Sequence, residues 1–329
     1  MKLLLLVEKA RYEKFLPDLP ITRAVDMTFC PKGTANAEAA GACPDAEVLC
    51  VDSLTVVDRE LMSLLPRLRM IHVEGVGTDQ VDTAFAAQKG VFVCNNPGCN
   101  ASGVAEHAIF LMLSLLRQGP DSHFAVMTGH QKELNAALFQ DQMPELGDCT
   151  VGLVGFGDIG RAVAIRLRGF GCQVYYNARQ RRAPEEEAAC GAAYLPLEEL
   201  AARCDIVSLH CPATPETTHL VNADFLRRMK PGAYLINTAR GAVVDNEALI
   251  AALASGHLAG AGLDAFDPEP VLPGHPLLTA PAAVKDRLVL TPHSAGLTVR
   301  AFRQAHENIW NDIALLAAGE RPNNVVNGI

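Results

Sequence analysis

Aromatic residues are scarce in this sequence: they make up 5% of its 329 residues, with a single Trp. The core must therefore be built mainly from Ala, Val, Leu and Ile, which suit closely packed layers of helix and sheet. Ten cysteines are present, but none stands in a C-x-x-C pair, so neither a zinc ribbon nor a thioredoxin motif is available. They read as reduced, cytosolic and mostly buried. No stretch of about 18 uncharged apolar residues exists, so no membrane span is expected. The run Leu3–Val7 is too short for a signal peptide, and Glu8 and Lys9 follow at once. A cytoplasmic location is the expectation. Basic charge is also short: 28 Lys and Arg against 37 Asp and Glu give a net charge of −9. That balance argues against nucleic acid as a partner, which asks for a basic footprint. Repeats and low-complexity linkers are absent.

What is present is a long, well-mixed chain. Its length exceeds one comfortable core and predicts about two domains. Short apolar runs at Leu3–Val7, Glu47–Val51, Met70–Val73 and Val91–Cys94 read as buried strands, with helical spacing at Val57–Leu65 and Val81–Lys89 between them. Such alternation predicts a parallel sheet with helices on its faces. Residues Ala101–Arg117 read as one long buried helix, stopped by Gly119-Pro120, and Asp121–Asp148 is poorly patterned. A second series follows, with strands at Thr150–Val154, Gln173–Tyr176, Ile206–His210, Ala233–Asn237 and Arg287–Leu290. Its helices are Arg161–Arg168, Ala223–Met229 and Asn246–Ala254. The amphipathic segment Thr298–Ala318 comes after this series, so it must pack somewhere new or return to the first domain.

The strongest motif is Gly155-Phe156-Gly157-Asp158-Ile159-Gly160, placed between an apolar strand and a helix. In that context it is a dinucleotide fingerprint. The first Gly permits the tight turn, the second lets backbone approach a pyrophosphate, and the third lets helix and strand pack closely. A ribose-binding carboxylate is expected about 20 residues on. Instead the second strand ends Asn177-Ala178-Arg179-Gln180-Arg181-Arg182. Guanidinium groups fit a 2′-phosphate, which favours NADP(H) over NAD(H); the other reading is a surface loop whose arginines meet only water.

Three charged residues follow strands of the second series: Arg240 after Ala233–Asn237, Glu269 in Asp264–Pro270, and His293 after Arg287–Leu290. Ligands of open α/β sheets bind outside the carboxyl ends of strands, so all three fit one cleft.

Together these segments resemble the D-isomer-specific 2-hydroxyacid dehydrogenase family over nearly the whole chain. The matching stretches are Gly75–Asp82, Asn96–Asn100, Val104–His107, Gly155–Gly160, Cys211–Thr217, Asn237–Gly241, Gly262–Pro270 and Thr291–Gly296. The resemblance implies two doubly wound α/β domains, a Rossmann nucleotide-binding domain inserted into a flavodoxin-like substrate domain. The expected boundaries are 1–100, 101–293 and 294–329, the last segment returning to the first domain. It also implies a homodimer and a small 2-oxo acid substrate reduced by NADP(H) or NAD(H). No metal is expected. Arg240 would clamp the substrate carboxylate and polarise the ketone, His293 would act as general acid, and Glu269 would orient its imidazole and stabilise the charged form. Backbone amides of Val76 and Gly77, with Ser53 and Gly75 alongside, would hold the substrate. Val104, Cys211, Pro212, Thr217, Thr238, Ala239 and Asp264 would line the cofactor, Asp264 towards its carboxamide. His107 and Glu106 read as structural or cleft-lining, His72 and His210 as core or strand-end histidines, and Cys94 and Cys99 as packing residues.

Departures from the family pattern narrow the substrate. Asp52 stands before Ser53 where many members carry Arg, which disfavours a phosphorylated substrate, and Gly129-His130-Gln131 replaces a Gly-x-Trp. The arginine loop is most similar to those of NADPH-dependent glyoxylate/hydroxypyruvate reductases. Pyruvate and phosphohydroxypyruvate stay open as substrates. So do a nucleotide-sensing corepressor-like protein and a phosphite or formate dehydrogenase on the same scaffold.

Overall fold

The computed structural model describes residues 1–141 and 143–329. The chain forms two compact units, one of Met1–Asn100 with Leu297–Ile329, the other of Ala101–Gly296. Among the described residues, each unit holds one parallel sheet, of five strands in the first and seven in the second.

The first sheet consists of β1 (Lys2–Leu6), β2 (Asp26–Phe29), β3 (Val48–Val51), β4 (Met70–Val73) and β5 (Phe92–Cys94), in the order β2-β1-β3-β4-β5. The run of leucines in β1 is continuous because both faces of the sheet are covered. Leu4 and Leu6 meet helices on one face through Ala39, Leu61, Met62 and Ala86. Leu3 and Leu5 face the other way, onto Tyr12 and the helix Val299–Ala317. That helix presents Ile309, Trp310, Ile313 and Leu316 at three- and four-residue spacing, all with no more than 2% exposure. Thr298 caps it, its hydroxyl accepting from Ala301 N at 3.2 Å. The buried Asp312 on the helix binds the tail, accepting from Asn323 N at 2.8 Å and Asn324 Nδ2 at 3.0 Å, and pairs with His72 of β4 at 3.1 Å. Burial by itself raises the Asp312 pKa, but these bonds hold it below the ordinary value. The last helix and tail thus complete the first unit.

The second sheet consists of β6 (Thr150–Val154), β7 (Gln173–Asn177), β8 (Ala192–Tyr194), β9 (Ile206–Leu209), β10 (Ala233–Asn237), β11 (Leu258–Leu263) and β12 (Leu288–Leu290). Its order is β12-β11-β10-β9-β6-β7-β8, so the chain reverses direction of travel between β6 and β9. The helix Ala101–Leu116 packs Ala105, Ala108, Leu111 and Met112 against Val151, Leu153 and Ile236.

Three sequence expectations change here. The stretch Asp121–Asp148 contains two helices, Gly119–Met127 and Gln131–Asp141. Their large apolar residues Phe124, Val126, Met127 and Phe139 are exposed, so no core-facing period marks them. Gly119-Pro120 starts the next helix as well as ending the first, the break falling at Gln118 with φ of 46°. The second unit runs to Gly296 rather than 293, because Asp264 accepts from the backbone N–H groups of Ser294 and Ala295 at 2.9 Å each.

Candidate active site

Register aligns the carboxyl ends of the second sheet. Asn237 pairs with Leu263, and Leu263 with Leu290, so Arg240, Asp264 and His293 follow three adjacent strands. At the reversal point, β6 and β9 run paired to Val154 and Leu209 and lead into Gly155 and His210. This is where a doubly wound sheet opens a crevice.

The nucleotide motif fits a dinucleotide in detail. Gly155 has φ of 99°, and a Cβ there would lie 2.5 Å from the His210 carbonyl; both demand glycine. A Cβ on Gly160 would strike the Gly155 carbonyl oxygen, which is how the helix Asp158–Phe170 lies so near the strand. Gly157, the helix N-cap, faces open space, leaving room for a phosphate at the positive end of a 13-residue helix. Phe156 stacks on Tyr176 with ring centroids 3.9 Å apart, bracing the turn against β7. Asp158 pairs with Arg161 at 2.7 Å, and Ile159 is half-buried. The buried hydroxyl of Thr238, beside Ala239 at the end of β10, has no protein partner. A polar group sealed without a partner fits a site completed by a ligand. Cys211 is half-buried, and burial pushes its thiol up to about 11. Thr217 donates to Pro212 O at 2.6 Å, closing the loop after β9. Val104 is buried on its helix with 4% exposure.

The three loop arginines have different surroundings. Arg181 makes two bonds to Glu187, at 2.9 and 3.0 Å. Arg182 reaches Phe156 O at 3.3 Å, and its main-chain N–H donates to Tyr176 Oη at 2.7 Å. Arg179 stands exposed. The side chain of Asn177 donates to Leu195 O at 2.9 Å and fixes the loop's root.

His293 Nδ1 lies 3.0 and 2.9 Å from the two oxygens of Glu269. Both side chains are about a quarter exposed, at 30% and 20%. A carboxylate on Nδ1 is an arrangement that can stabilise an imidazolium exchanging its proton through Nε2. The backbone of His293 has φ of 52°, a left-handed conformation unusual for a side-chain-bearing residue. Arg240 is rooted by the Asn237 side chain, which donates to Arg240 O at 2.9 Å and accepts from Ala239 N at 3.0 Å. Asp264 accepts from Thr291 Oγ1 at 2.6 Å as well as from Ser294 and Ala295. His107 lies 2.8 Å from Thr291 Oγ1, a contact the sequence did not signal, whereas Glu106 turns outward to Arg166 at 3.3 Å.

The remaining candidates lie in the first unit. Val51 and Val73 pair, so Ser53 and Gly75 follow neighbouring strands, and a Cβ on Gly75 would strike Ser53 Oγ. Asn95 donates to Val76 O at 2.6 Å and steadies the Gly75–Gly77 loop. Glu74, just before it, takes two bonds from Arg11 at 2.8 and 2.6 Å and sits 2.9 Å from His306. Burial pushes its pKa up, but these partners hold the carboxyl below its ordinary value. Only the distant Arg11 and His306 reveal this pair of supports, so nothing local in the sequence marked them. Cys94 and Cys99 have thiols raised by burial, Cys99 to about 11, in keeping with packing.

Comparison with known proteins places the chain in a family. Residues 109–295 match the D-isomer-specific 2-hydroxyacid dehydrogenase, NAD-binding domain. Glyoxylate reductase of Thermofilum pendens is 39% identical over 272 residues, covering 82% of this chain and 78% of that protein. D-lactate dehydrogenase from Aquifex aeolicus, solved with NAD and lactic acid, aligns at TM-score 0.84 and 28% identity, covering 100% of both chains. NAD-dependent formate dehydrogenase from Staphylococcus aureus, solved with NAD, aligns at TM-score 0.83 and 29% identity over 99% of each. The chain belongs to the D-isomer-specific 2-hydroxyacid dehydrogenase family. It is an oxidoreductase of the nicotinamide-dependent class that acts on CH–OH groups. A binding protein without catalysis finds no support among these relatives.

Proposed function

We propose that the protein reduces a small, unphosphorylated 2-oxo acid of the glyoxylate or hydroxypyruvate kind to the D-2-hydroxy acid, with NADPH preferred over NADH. The observation that carries the chemistry is His293 Nδ1 held by both oxygens of Glu269 at the end of β12. Bound reduced nicotinamide supplies the hydride. Arg240 grips the substrate carboxylate and draws charge onto the ketone oxygen. His293 delivers a proton from Nε2 to that oxygen as the hydroxyl forms, and Glu269 stabilises the imidazolium before transfer. In the reverse direction the same nitrogen accepts the proton.

Substrate size follows from Asp52. Its carboxylate pairs with Lys32 at 2.8 Å and accepts from Thr55 Oγ1 at 2.8 Å. Burial raises its pKa, but these contacts bring it below the ordinary value, so it stays ionised and, held by Lys32, offers a phosphate no guanidinium where Arg would. Cofactor preference follows from the absence of a ribose-binding carboxylate at Asn177–Arg182 and from the exposed Arg179. The exposed Phe124, Val126, Met127 and Phe139 supply an apolar surface for a homodimer.

Steady-state kinetics with glyoxylate, hydroxypyruvate, pyruvate, phosphohydroxypyruvate and formate, each with NADH and NADPH, tests the reading. The highest kcat/KM is expected for glyoxylate or hydroxypyruvate with NADPH. Replacing His293 with Ala should lower kcat by roughly 10²- to 10⁴-fold. Full activity in that variant, or turnover of formate in preference to every 2-oxo acid, would refute the assignment.

A further inference from the structure

His107 lies on the helix Ala101–Leu116, remote in sequence from the proton donor, yet a continuous chain of hydrogen bonds leads from it to the His293 loop. His107 Nε2 is 2.8 Å from Thr291 Oγ1. Thr291 Oγ1 is 2.6 Å from Asp264 Oδ1, and that carboxylate accepts from Ser294 N and Ala295 N at 2.9 Å each. Proton bookkeeping fixes the direction. An ionised carboxylate only accepts, so the single hydroxyl proton of Thr291 goes to Asp264. The hydroxyl must then accept from His107, which places a hydrogen on His107 Nε2 and selects that tautomer.

The loop closed by this chain needs support. His293 sits at φ of 52°, and its N–H donates to Thr291 O at 3.0 Å, so the segment turns sharply between two residues anchored on Asp264. A left-handed non-glycine residue costs of order 1–3 kcal/mol and persists only where its surroundings over-determine it. Asp264 is 1% exposed, and Thr291 and Asp264 extend the strand ladder through Leu263 O and Asn237 O at 2.9 Å each. The anchor is therefore rigid, and His107 donates to the Thr291 hydroxyl from the helix side, 3.5 Å from Asp264 Oδ1.

The geometry points to His107 and Thr291 as positioning residues for the reaction, acting through Asp264 to hold His293 in its left-handed conformation with Nε2 towards the substrate. This rests on the general-acid role proposed for His293. Neither residue touches the reacting atoms. Their contribution is placement, where an error of about 1 Å can cost on the order of 10²-fold in rate.

The test uses Thr291→Val, which keeps shape and removes the hydroxyl, together with Thr291→Ser, His107→Leu and His107→Gln. Thr291→Val is expected to lower kcat by about 10- to 100-fold, with the NADPH dissociation constant and the 2-oxo acid KM within about threefold of wild type. Thr291→Ser should rescue most of the loss. His107→Leu should lower kcat in the same way, and His107→Gln, whose amide can donate in place of Nε2, should recover part of it. The decisive readout is epistasis: in a His293→Ala background, Thr291→Val should cost nothing further, because the group it positions is gone. An unchanged kcat in Thr291→Val would overturn the proposal. So would an equal fractional loss in the His293→Ala background, or an NADPH dissociation constant raised as much as kcat falls. If Thr291→Val does not fold, His107→Leu carries the same measurements with the same criteria. Failure of the underlying reading is separately visible, since His293→Ala alone would then retain full activity.

Discussion

At the scale of single residues, environment assigns different duties to the same side chain. His210 follows β9 directly, with Nε2 on Ser208 Oγ at 2.9 Å and Nδ1 sealed from water without a partner. Desolvation lowers its pKa to about 4, so it stays neutral. Its folded pKa lies below the unfolded value, so the unfolded chain takes up the proton first, and stability falls as pH drops from about 6.5 towards 4. The loss is on the order of 3 kcal/mol. Denaturant melts at pH 6.5 and 4.5 should show a larger drop for wild type than for His210→Gln; equal drops would show that His210 is not the group responsible. In the arginine loop, Arg179→Ala should raise the KM for NADPH far more than that for NADH. Arg181→Ala should do less, because its guanidinium is committed to Glu187. Equal effects of Arg179→Ala on both cofactors would rule out 2′-phosphate recognition. Residue types and spacing brought Arg240, Glu269 and His293 forward as candidates in the sequence. The different commitments of Arg179, Arg181 and Arg182 were not, because they depend on Glu187 and Phe156 folding back onto the loop.

At the scale of elements, legibility followed short runs of branched apolar residues. Met70–Val73, Thr150–Val154 and Ala233–Asn237 are short apolar runs, and they form strands over those same residues. The edge strands Asp26–Phe29 and Ala192–Tyr194 are half-exposed and carry no such run. Leu258–Leu263 reads Leu-Ala-Gly-Ala-Gly-Leu and lacks the β-branched and aromatic residues that mark a strand. Its glycines serve the neighbouring helix: a Cβ on Gly262 would lie 2.9 Å from Leu111 Cβ. The closing helix Val299–Ala317 is the element whose loss matters most to the first unit. Trp310 is fully buried against the sheet, so Trp310→Ala should destabilise that unit by about 3–5 kcal/mol, measurable by denaturant unfolding. A cost below about 1 kcal/mol would mean the helix is not a structural part of that core.

At the scale of the whole molecule, the net charge of −9 is a surface average, and the proposed ligand sites are local exceptions to it, at Arg240 and at Arg179. The apolar side chains on helices Gly119–Met127 and Gln131–Asp141 are the other exception. Placing charge there, as in Phe139→Glu with Met127→Glu, should turn the expected dimer into a monomer by sedimentation velocity while leaving the second unit folded. A wild-type monomer at micromolar concentration would overturn the dimer. These helices were invisible as elements because a period in the sequence records burial within the chain, and their apolar faces find none there.

The sequence by itself determined the layered α/β class, the dinucleotide turn and the identity of the charged residues at strand ends. Each follows from local periodicity, from steric demands on glycine, or from residue chemistry carried over short spans of chain. Only the tertiary structure decided which of those residues are tied to one another. It set Asp264 beneath the loop after β12 and His107 against Thr291, and it gave contacts to two pairings that the family resemblance had implied, Glu269 with His293 and the last helix with the first sheet. Those pairings join residues far apart in the chain, and a hydrogen bond made across such distance leaves no mark in local sequence; it exists only once strands and helices have packed.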